Sequence, residues 1–252
     1  MLELKNIYKT FNPGTINEKV ALNGLNLTLN EGDFVTVIGG NGAGKSTMLN
    51  AVAGTWQIDE GQIIIDGIDV TKLSEHKRAA YLGRVFQDPM TGTAATMGIE
   101  ENLALAKRRG KTRLLKPGIT KKEREEYKEL LKVLGLGLEN RLTSKVGLLS
   151  GGQRQALTLL MATLQKPKLL LLDEHTAALD PKTAAKVLEI TEMIVNRDHL
   201  TTMMITHNMQ DAITHGNRLI MMMEGKIILD IQGEDKKKLT VRNLLDQFEK
   251  AS

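Results

Sequence analysis

The chain alternates between apolar and polar positions near its start and carries continuous apolar runs further along. Residues 2–7 and 25–29 alternate, which predicts strands with one buried face. The β-branched run 34–38, bounded by Gly32 and Gly39, predicts a strand buried on both faces. Further strands are predicted at 62–67, 82–87, 168–173, 201–206 and 218–223. Such strands, separated by helices, indicate an α/β fold with a parallel sheet covered on both faces.

Helical spacing dominates from residue 88 to residue 165. Within this stretch, residues 123–134 carry apolar positions three and four apart, which predicts an amphipathic helix. These positions are Tyr127, Leu130, Leu131 and Leu134. The tail from 240 to 249 has the same spacing, so we expect one face of a terminal helix to dock on the rest of the chain. That face comprises Val241, Leu244, Leu245 and Phe248.

The composition is that of an ordinary globular protein, with 41% hydrophobic and 25% charged residues in a chain of 252. No apolar run approaches the roughly 18 residues that span a bilayer. The first residues also lack a signal-peptide pattern, so we expect the chain to stay in the cytoplasm. Because the sequence has no cysteine, disulfides and thiolate metal sites are excluded.

The net charge of +4 is unevenly distributed. Residues 107–128 hold ten Lys or Arg against three Glu, a local net charge of +7, so the remainder is at −3. This basic segment is open to three interpretations: a solvated face, a patch attracted to anionic lipid headgroups, or a nucleic-acid surface. The segment has few interleaved aromatic residues, which argues against nucleic acid as a partner.

A phosphate-binding loop follows the buried strand 34–38. The segment matches the pattern Gly-x-x-x-x-Gly-Lys-Ser/Thr, in which glycines let backbone N–H groups surround a phosphate at a helix N-terminus. Its residues are Gly39, Gly40, Asn41, Gly42, Ala43, Gly44, Lys45, Ser46 and Thr47. In such loops the lysine reaches the β- and γ-phosphates and the following hydroxyl ligates Mg²⁺. The sequence therefore predicts ATP and Mg²⁺ as ligands.

Two carboxylates end the apolar run 168–173. Asp173 and Glu174 come at the carboxyl end of a buried strand, which is the edge where open α/β sheets bind ligands. We expect Asp173 to hold the Mg²⁺ shell and Glu174 to orient or deprotonate the attacking water. Simple capping of a turn is the competing explanation.

The third motif gives the chain a family resemblance. The run 149–153, about twenty residues before Asp173, resembles the signature sequence of ATP-binding cassette (ABC) proteins. Its residues are Leu149, Ser150, Gly151, Gly152 and Gln153. The resemblance implies that this helix N-terminus binds the γ-phosphate of a nucleotide held by a second copy, in a head-to-tail dimer with two sandwiched ATP molecules. A plain N-capped helix is the competing interpretation.

The same resemblance implies roles for further residues, and it extends from residue 2 to about residue 230. Gln87 matches the glutamine that senses Mg²⁺ and water, and His207 matches the histidine that contacts the γ-phosphate and steadies Glu174. Asp180 matches the aspartate that couples the two sites of the dimer. Phe11 matches the aromatic residue that stacks on adenine, with Tyr8 as its competitor.

Two departures from the family pattern stand out. His175 replaces the proline that commonly follows the catalytic glutamate, and we expect it to add pH sensitivity near the water. The helix after the signature is usually rich in arginine, whereas residues 155–160 are mostly apolar.

The resemblance implies a phosphate-loop NTPase (RecA-like) core with a parallel sheet, an N-terminal antiparallel β subdomain and an inserted α-helical subdomain. All 252 residues would form one ABC ATPase domain. Residues 1–87 and 166–230 would form the catalytic core with the β subdomain, 88–165 the helical subdomain with the signature, and 231–252 a helical tail.

The implied function is that of a bacterial motor subunit that hydrolyses ATP at the cytoplasmic face of the membrane. It would drive a separate permease, contacted through residues 88–128, with an extracytoplasmic substrate-binding protein as an indirect partner. The compact tail resembles that of amino-acid importers, with branched-chain or aromatic substrates. The alternatives are an exporter or lipid-handling motor, and an ABC ATPase without a transport role.

Overall fold

The computed structural model describes residues 1–111 and 118–251, and their strands belong to two sheets. The first sheet is antiparallel and contains β1 (Leu2–Phe11), β2 (Lys19–Leu29), β4 (Glu60–Ile65) and β5 (Ile68–Asp69). Its strand order is β2-β1-β4-β5, with Leu2 opposite both Leu29 and Ile65. The alternating pattern near the start of the chain is thus that of a sheet with one buried face.

The second sheet carries the buried strands β3 (Phe34–Gly39), β6 (Leu82–Val85), β7 (Leu169–Asp173), β8 (Thr202–Ile205) and β9 (Arg218–Met223). These strands are parallel, and β10 (Lys226–Gln232) pairs antiparallel with β9 at one edge. The order is β10-β9-β3-β8-β7-β6. The sequence analysis missed β10, although its alternate residues Ile227, Leu229 and Ile231 are the more buried ones.

Helices connect the strands and cover both faces of the second sheet. They are α1 (Lys45–Ala53), α2 (Glu75–Arg78), α3 (Ile99–Lys107), α4 (Lys121–Lys132), α5 (Gly151–Thr163), α6 (Pro181–Asp198), α7 (Met209–Thr214), α8 (Gly233–Lys237) and α9 (Val241–Ala251). The expected α/β fold with an antiparallel β part and inserted helices is confirmed. Within the described residues, no helix is long and apolar enough to cross a membrane.

The four leucines of β7 show how the core is divided. Leu169 and Leu171 belong to an apolar cluster that fills the space between the two sheets and includes α1. Leu170 and Leu172 point to the opposite face and join a second cluster with α3, α4, α5 and α6. Because successive side chains of a strand alternate between faces, one continuous apolar run feeds both clusters. The inserted helices therefore share a core with the sheet.

Two helices test the predicted apolar faces. In α4, Thr120 and Glu123 form a capping box, Tyr127 and Leu131 are buried, and Leu130 is half-buried. In α9, Leu244 is buried and Phe248 is partly buried against the cluster around α7 and β9. Leu245 is 46% exposed, so its assignment to the docking face is wrong. The contact is narrow and centred on Leu244, and position 245 falls outside it.

The described part of the basic segment 107–128 is partly neutralised by nearby carboxylates, and residues 112–117 lie outside the described residues. Four of the eight basic side chains described in this segment lie beside a carboxylate. The pairs are Lys107–Glu126 (2.6 Å), Arg108–Glu123 (3.2 Å), Arg124–Glu100 (2.6 Å) and Lys128–Glu125 (2.8 Å). For these four side chains, the pairing favours a solvated face.

Candidate nucleotide-binding site

Three neighbouring parallel strands bring the candidate residues to one edge of the second sheet. Because β3, β8 and β7 are adjacent, the phosphate loop after β3, His207 after β8 and Glu174 after β7 meet there. Glu174 N donates to Ile205 O at 3.1 Å, so pairing continues past the end of β7. His207 Nδ1 then lies 3.6 Å from Glu174 Oε2. Glu174 has a left-handed φ of 45°, a strained conformation typical of functional positions.

The phosphate loop depends on backbone conformations that glycine provides. Gly42 and Gly44 have φ values of 81° and 99°, and a side chain at Gly44 would come within 2.5 Å of Ala21 O. Gly225, in the turn between β9 and β10, braces the loop by donating from its N–H to Ala43 O at 3.1 Å. No side chain caps the start of α1, so the N–H groups of its first turn face the loop.

Lys45 lies buried along its own loop. Its Nζ donates to Gly39 O at 2.7 Å and to Gly40 O at 3.1 Å. Burial lowers the pKa of Lys45, while the nearby carboxylates of Glu174 and Asp173 oppose that shift. The ammonium group is therefore held where the loop, the helix start and the two carboxylates converge.

A single cleft of about 220 Å³ joins the aromatic and phosphate ends of the candidate site. It is lined by Phe11, Lys19, Ala21, Asn41 to Thr47, and Glu174. The ring of Phe11 packs edge-on against Trp56, with their centroids 5.0 Å apart and an interplanar angle of 80°. The Tyr8 hydroxyl instead lies against Gly24 of β2. This arrangement favours Phe11 over Tyr8 as the adenine platform.

The acidic residues of the site suit a hard cation. Burial raises the pKa of Asp173, Glu174 raises it further, and Arg84, whose guanidinium lies 3.6 Å away, opposes the shift. Ser46 is exposed and lines the cleft that Glu174 also lines. Carboxylate and hydroxyl oxygens are the donors that Mg²⁺ prefers, and it commonly uses only one or two carboxylates plus phosphate oxygens. The described residues contain no group of three or more His, Cys, Asp or Glu side chains arranged to bind a metal.

Other candidate residues lie outside this cleft. Gln87 is exposed just after β6. Asp180 caps the start of α6, where its side chain accepts from Thr183 N at 3.1 Å. Hydrogen bonding from the Thr183 side chain, and then from the Thr183 N–H, lowers the pKa of the Asp180 carboxyl. Ser150, Gly152 and Gln153 line a separate cleft beside α6. The structure thus separates the signature from the phosphate loop of the same chain.

The signature forms a helix start with a reciprocal capping box. Ser150 Oγ accepts from Gln153 N at 3.3 Å, and Gln153 Oε1 accepts from Ser150 N at 3.2 Å. Gly152 packs so tightly on α6 that a Cβ there would overlap the Thr183 methyl group. The motif therefore has a structural role within this chain, in addition to any role toward a nucleotide.

The expected pH sensitivity of His175 is wrong. The ring is 2% exposed and points into the core, where burial lowers its pKa to about 4 and His215 adds to the shift. Its Nε2 lies 3.1 Å from Thr191 Oγ1, and that hydroxyl donates to Val187 O at 2.8 Å. Because that hydroxyl already donates to Val187 O, it accepts from Nε2–H of His175. With a pKa of about 4, the imidazole is neutral near pH 7, and it is hydrogen-bonded away from the water that Glu174 would bind.

Sequence reasoning missed two cations of the site, Arg84 and Lys19. Arg84 donates to Asn50 Oδ1 at 2.7 Å and stacks on the ring of Phe86, 4.5 Å from its centroid. A cation within a short buried strand was the available signal for Arg84. Lys19 lies in the cleft because β2 returns beside β1, a pairing that the local pattern did not reveal.

Comparisons with known proteins agree with the fold and the motifs. Residues 22–177 match the family model described as ABC transporter. The chain is 45% identical over 256 residues to a tyrosine transport ATP-binding protein of Clostridioides difficile, and the match covers 100% of both chains. It is 35% identical over 232 residues to a spermidine/putrescine import ATP-binding protein of Haemophilus influenzae, where it covers 91% of this chain and 57% of the relative.

Solved structures extend this likeness. One is a dimeric ATP-binding cassette in a post-hydrolysis state bound to ADP and Pi, with a TM-score of 0.78 and 30% identity, covering 92% of this chain and 98% of that one. Another is the ADP conformation of an ABC transporter cassette, with a TM-score of 0.79 and 26% identity. That match covers 99% of this chain and 98% of the other chain. With its phosphate loop, paired carboxylates and signature on this fold, the chain belongs to the ABC transporter family and is one of its ATPases.

Proposed function

We propose that this chain powers a separate membrane permease for the uptake of an amino acid, with tyrosine or a similar aromatic amino acid as the substrate. The observation that carries the proposal is the likeness to a tyrosine transport ATP-binding protein along the whole length of both chains. The polyamine and methionine import relatives also support uptake. The first of these is matched over 57% of its own length, so it supports the direction of transport more than the substrate.

In the proposed site, adenine stacks on Phe11 and the phosphates lie in the loop 39–47, next to Lys45. Ser46, Asp173 and Gln87 would hold Mg²⁺, which neutralises phosphate charge when bound. Glu174 orients and deprotonates the attacking water, and His207 steadies Glu174 from 3.6 Å. Phosphoryl transfer requires little else from a protein than positioning and charge stabilisation.

We further propose that a second copy completes each site. Ser150 to Gln153 of one subunit would face the nucleotide held by the other, and Asp180 would couple the two sites. This arrangement is supported by the separate clefts of signature and phosphate loop within one chain. Residues 88–128 would contact the permease at the cytoplasmic face of the membrane, so that the helical subdomain 88–165 transmits motion from the core. Residues 231–252 would form the helical tail of the same domain.

The hydrolysis test uses Glu174→Gln. Loss of a general base typically costs about 10²- to 10⁴-fold in rate, whereas the amide side chain keeps the shape of the site. We expect ATP binding to persist while turnover falls by at least about a hundredfold. Turnover within a few-fold of the unchanged chain would refute the role of Glu174.

The transport test measures uptake of labelled tyrosine in a deletion strain of the source organism that lacks this chain. Restoration by the unchanged chain but not by Glu174→Gln would support the proposal, with methionine and spermidine uptake as specificity controls. Unchanged tyrosine uptake in the deletion strain would refute the substrate. If the deletion strain instead loses efflux or lipid transfer, the result would favour an exporter or a lipid-handling motor.

A further inference from the structure

We propose that Lys19 contacts the phosphate chain of the bound nucleotide, from the side of the cleft opposite Lys45. This proposal rests on the proposed function, because it takes the cleft beside the phosphate loop as the nucleotide site. Lys19 is the first residue of β2, and in the antiparallel register it lies directly opposite Phe11. It also lines the same cleft as Phe11 and the phosphate loop. One cross-strand pair thus supplies both the aromatic platform and a cation.

The amine of Lys19 reaches over the middle of the phosphate loop. A Cβ built on Gly42 would lie 3.0 Å from Lys19 Nζ and 3.8 Å from its Cε. Gly42 has φ 81°, a conformation that glycine adopts readily. The missing side chain at Gly42 therefore leaves room for the ammonium group at the point where backbone N–H groups would surround a phosphate.

Within the described residues, no carboxylate neutralises Lys19. The adjacent Glu18 carboxylate accepts from Gly14 N at 2.6 Å and so stabilises the loop before β2. Lys9, the other lysine close to Phe11, is paired with Asp59 at 2.8 Å. An uncompensated ammonium beside a loop of inward-pointing N–H groups attracts an anion.

The ligand chemistry that fits is a diphosphate or triphosphate group. Lys45 Nζ is bonded to Gly39 O and Gly40 O, on the buried side of the loop. Lys19 approaches from the exposed side, so the two amines would flank the phosphate chain. A lysine acts on phosphate as a point charge and does not need a fixed fork geometry, which suits an exposed side chain.

The experiment measures the affinity of the full chain for ATP and for inorganic pyrophosphate by isothermal titration calorimetry. We expect Lys19→Gln to weaken both by roughly five- to tenfold, because one charge-assisted contact is lost, and the loss should shrink at high salt. Lys19→Arg should bind both within about twofold of the unchanged chain, because it keeps the charge. Lys77→Gln removes an exposed lysine of α2 outside the cleft and serves as the matched control.

A second variant separates the two ends of the nucleotide. Phe11→Ala should weaken ATP while leaving pyrophosphate affinity unchanged, because pyrophosphate has no base to stack. Unchanged ATP and pyrophosphate affinity in Lys19→Gln would overturn the proposal, and so would a loss confined to ATP, which would assign Lys19 to the adenosine end. Absence of ATP binding by the unchanged chain would refute the proposed function, and the Lys19 assignment with it.

Discussion

Two glycine-rich helix starts carry the candidate chemistry, and they are built differently. At α1, no side chain caps the helix, and Gly44 takes a left-handed φ of 99° against the backbone of Ala21. At α5, Ser150 and Gln153 satisfy each other in a capping box. Gly152 is needed there for close packing against Thr183. In the first motif glycine serves the backbone conformation, and in the second it serves helix contact.

The difference bears on the proposed roles of the two motifs: the phosphate loop would bind a phosphate within its own chain, and the signature would act on a nucleotide held by a second copy. The N–H groups of the α1 first turn face a cleft that also contains Glu174. The N-terminus of α5 already has side-chain partners and lies in another cleft. In the proposed dimer, a phosphate that another subunit brings to the signature would compete with this internal cap for the N–H of Gln153.

The largest expected effects separate the two kinds of glycine. Gly44→Ala should abolish ATP binding, because its Cβ meets backbone at 2.5 Å and no side-chain change can relieve that contact.

Gly152→Ala should cost roughly 1–3 kcal/mol of unfolding free energy through overpacking. The double variant Gly152→Ala/Thr183→Ala should recover most of that stability, as measured by urea denaturation. Failure of this rescue would mean that the contact with Thr183 is not what requires glycine at position 152.

The next effect concerns the lysine that only the first motif has. Lys45→Ala removes a charge-assisted donor to phosphate and should weaken ATP binding by roughly 10- to 100-fold, measured by calorimetry. Lys182→Ala, beside the signature cleft, is the counterpart and should leave the affinity of a single subunit unchanged. Equal losses of ATP affinity in the two variants would contradict the claim that only the first motif binds phosphate within its own chain.

A smaller effect tests whether the signature is more than a capped helix. Ser150→Ala and Thr120→Ala each remove the same kind of capping box and should each cost about 1 kcal/mol of stability. Only Ser150→Ala should also lower ATP turnover, by roughly tenfold, because only that hydroxyl would face a nucleotide. Equal ATP turnover in the two variants would mean that Ser150 acts only as the N-cap of α5.

The smallest expected effect on activity belongs to His175. The pKa of His175 is lowered from 6.5 to about 4, so the folded state binds its proton less readily than the unfolded state does. The contribution of the neutral ring to folding stability is therefore complete above about pH 6.5 and is lost as the pH falls toward 4. His175→Gln should leave the pH profile of turnover unchanged from about pH 7 to about pH 8. Below pH 6.5, denaturant titrations should show the unchanged chain losing stability more steeply than the variant. A shift in the pH profile of turnover in this variant would show that His175 does affect the active site.

Periodicity and motifs predicted the parts of the fold that local sequence dictates. The run 168–173 indicated a strand buried on both faces, and β7 distributes its leucines between two clusters accordingly. Helix α4 was predicted from spacing alone, within two residues of its observed bounds. The phosphate loop was recognisable because its pattern and its position after a strand coincide.

The remainder depended on long-range contacts. Leu245 was wrongly assigned because spacing identifies an apolar stripe but not the width of the surface that receives it. His175 was wrongly given a role because its side-chain direction is set by packing against Thr191, sixteen positions away. Lys19 and Arg84 reach the site through strand pairing, which neither composition nor spacing encodes.

The central claim, that the loop at 39–47 is half a site completed by the signature of a second copy, has a direct test by mixing. Lys45→Ala damages one motif and Ser150→Arg the other, so each variant alone should be inactive as an ATPase. In a head-to-tail dimer of the two, one site carries both defects and the other carries none. The account therefore expects the mixture to hydrolyse ATP faster than either variant alone. Turnover of the mixture no higher than the average of the separate variants would contradict it.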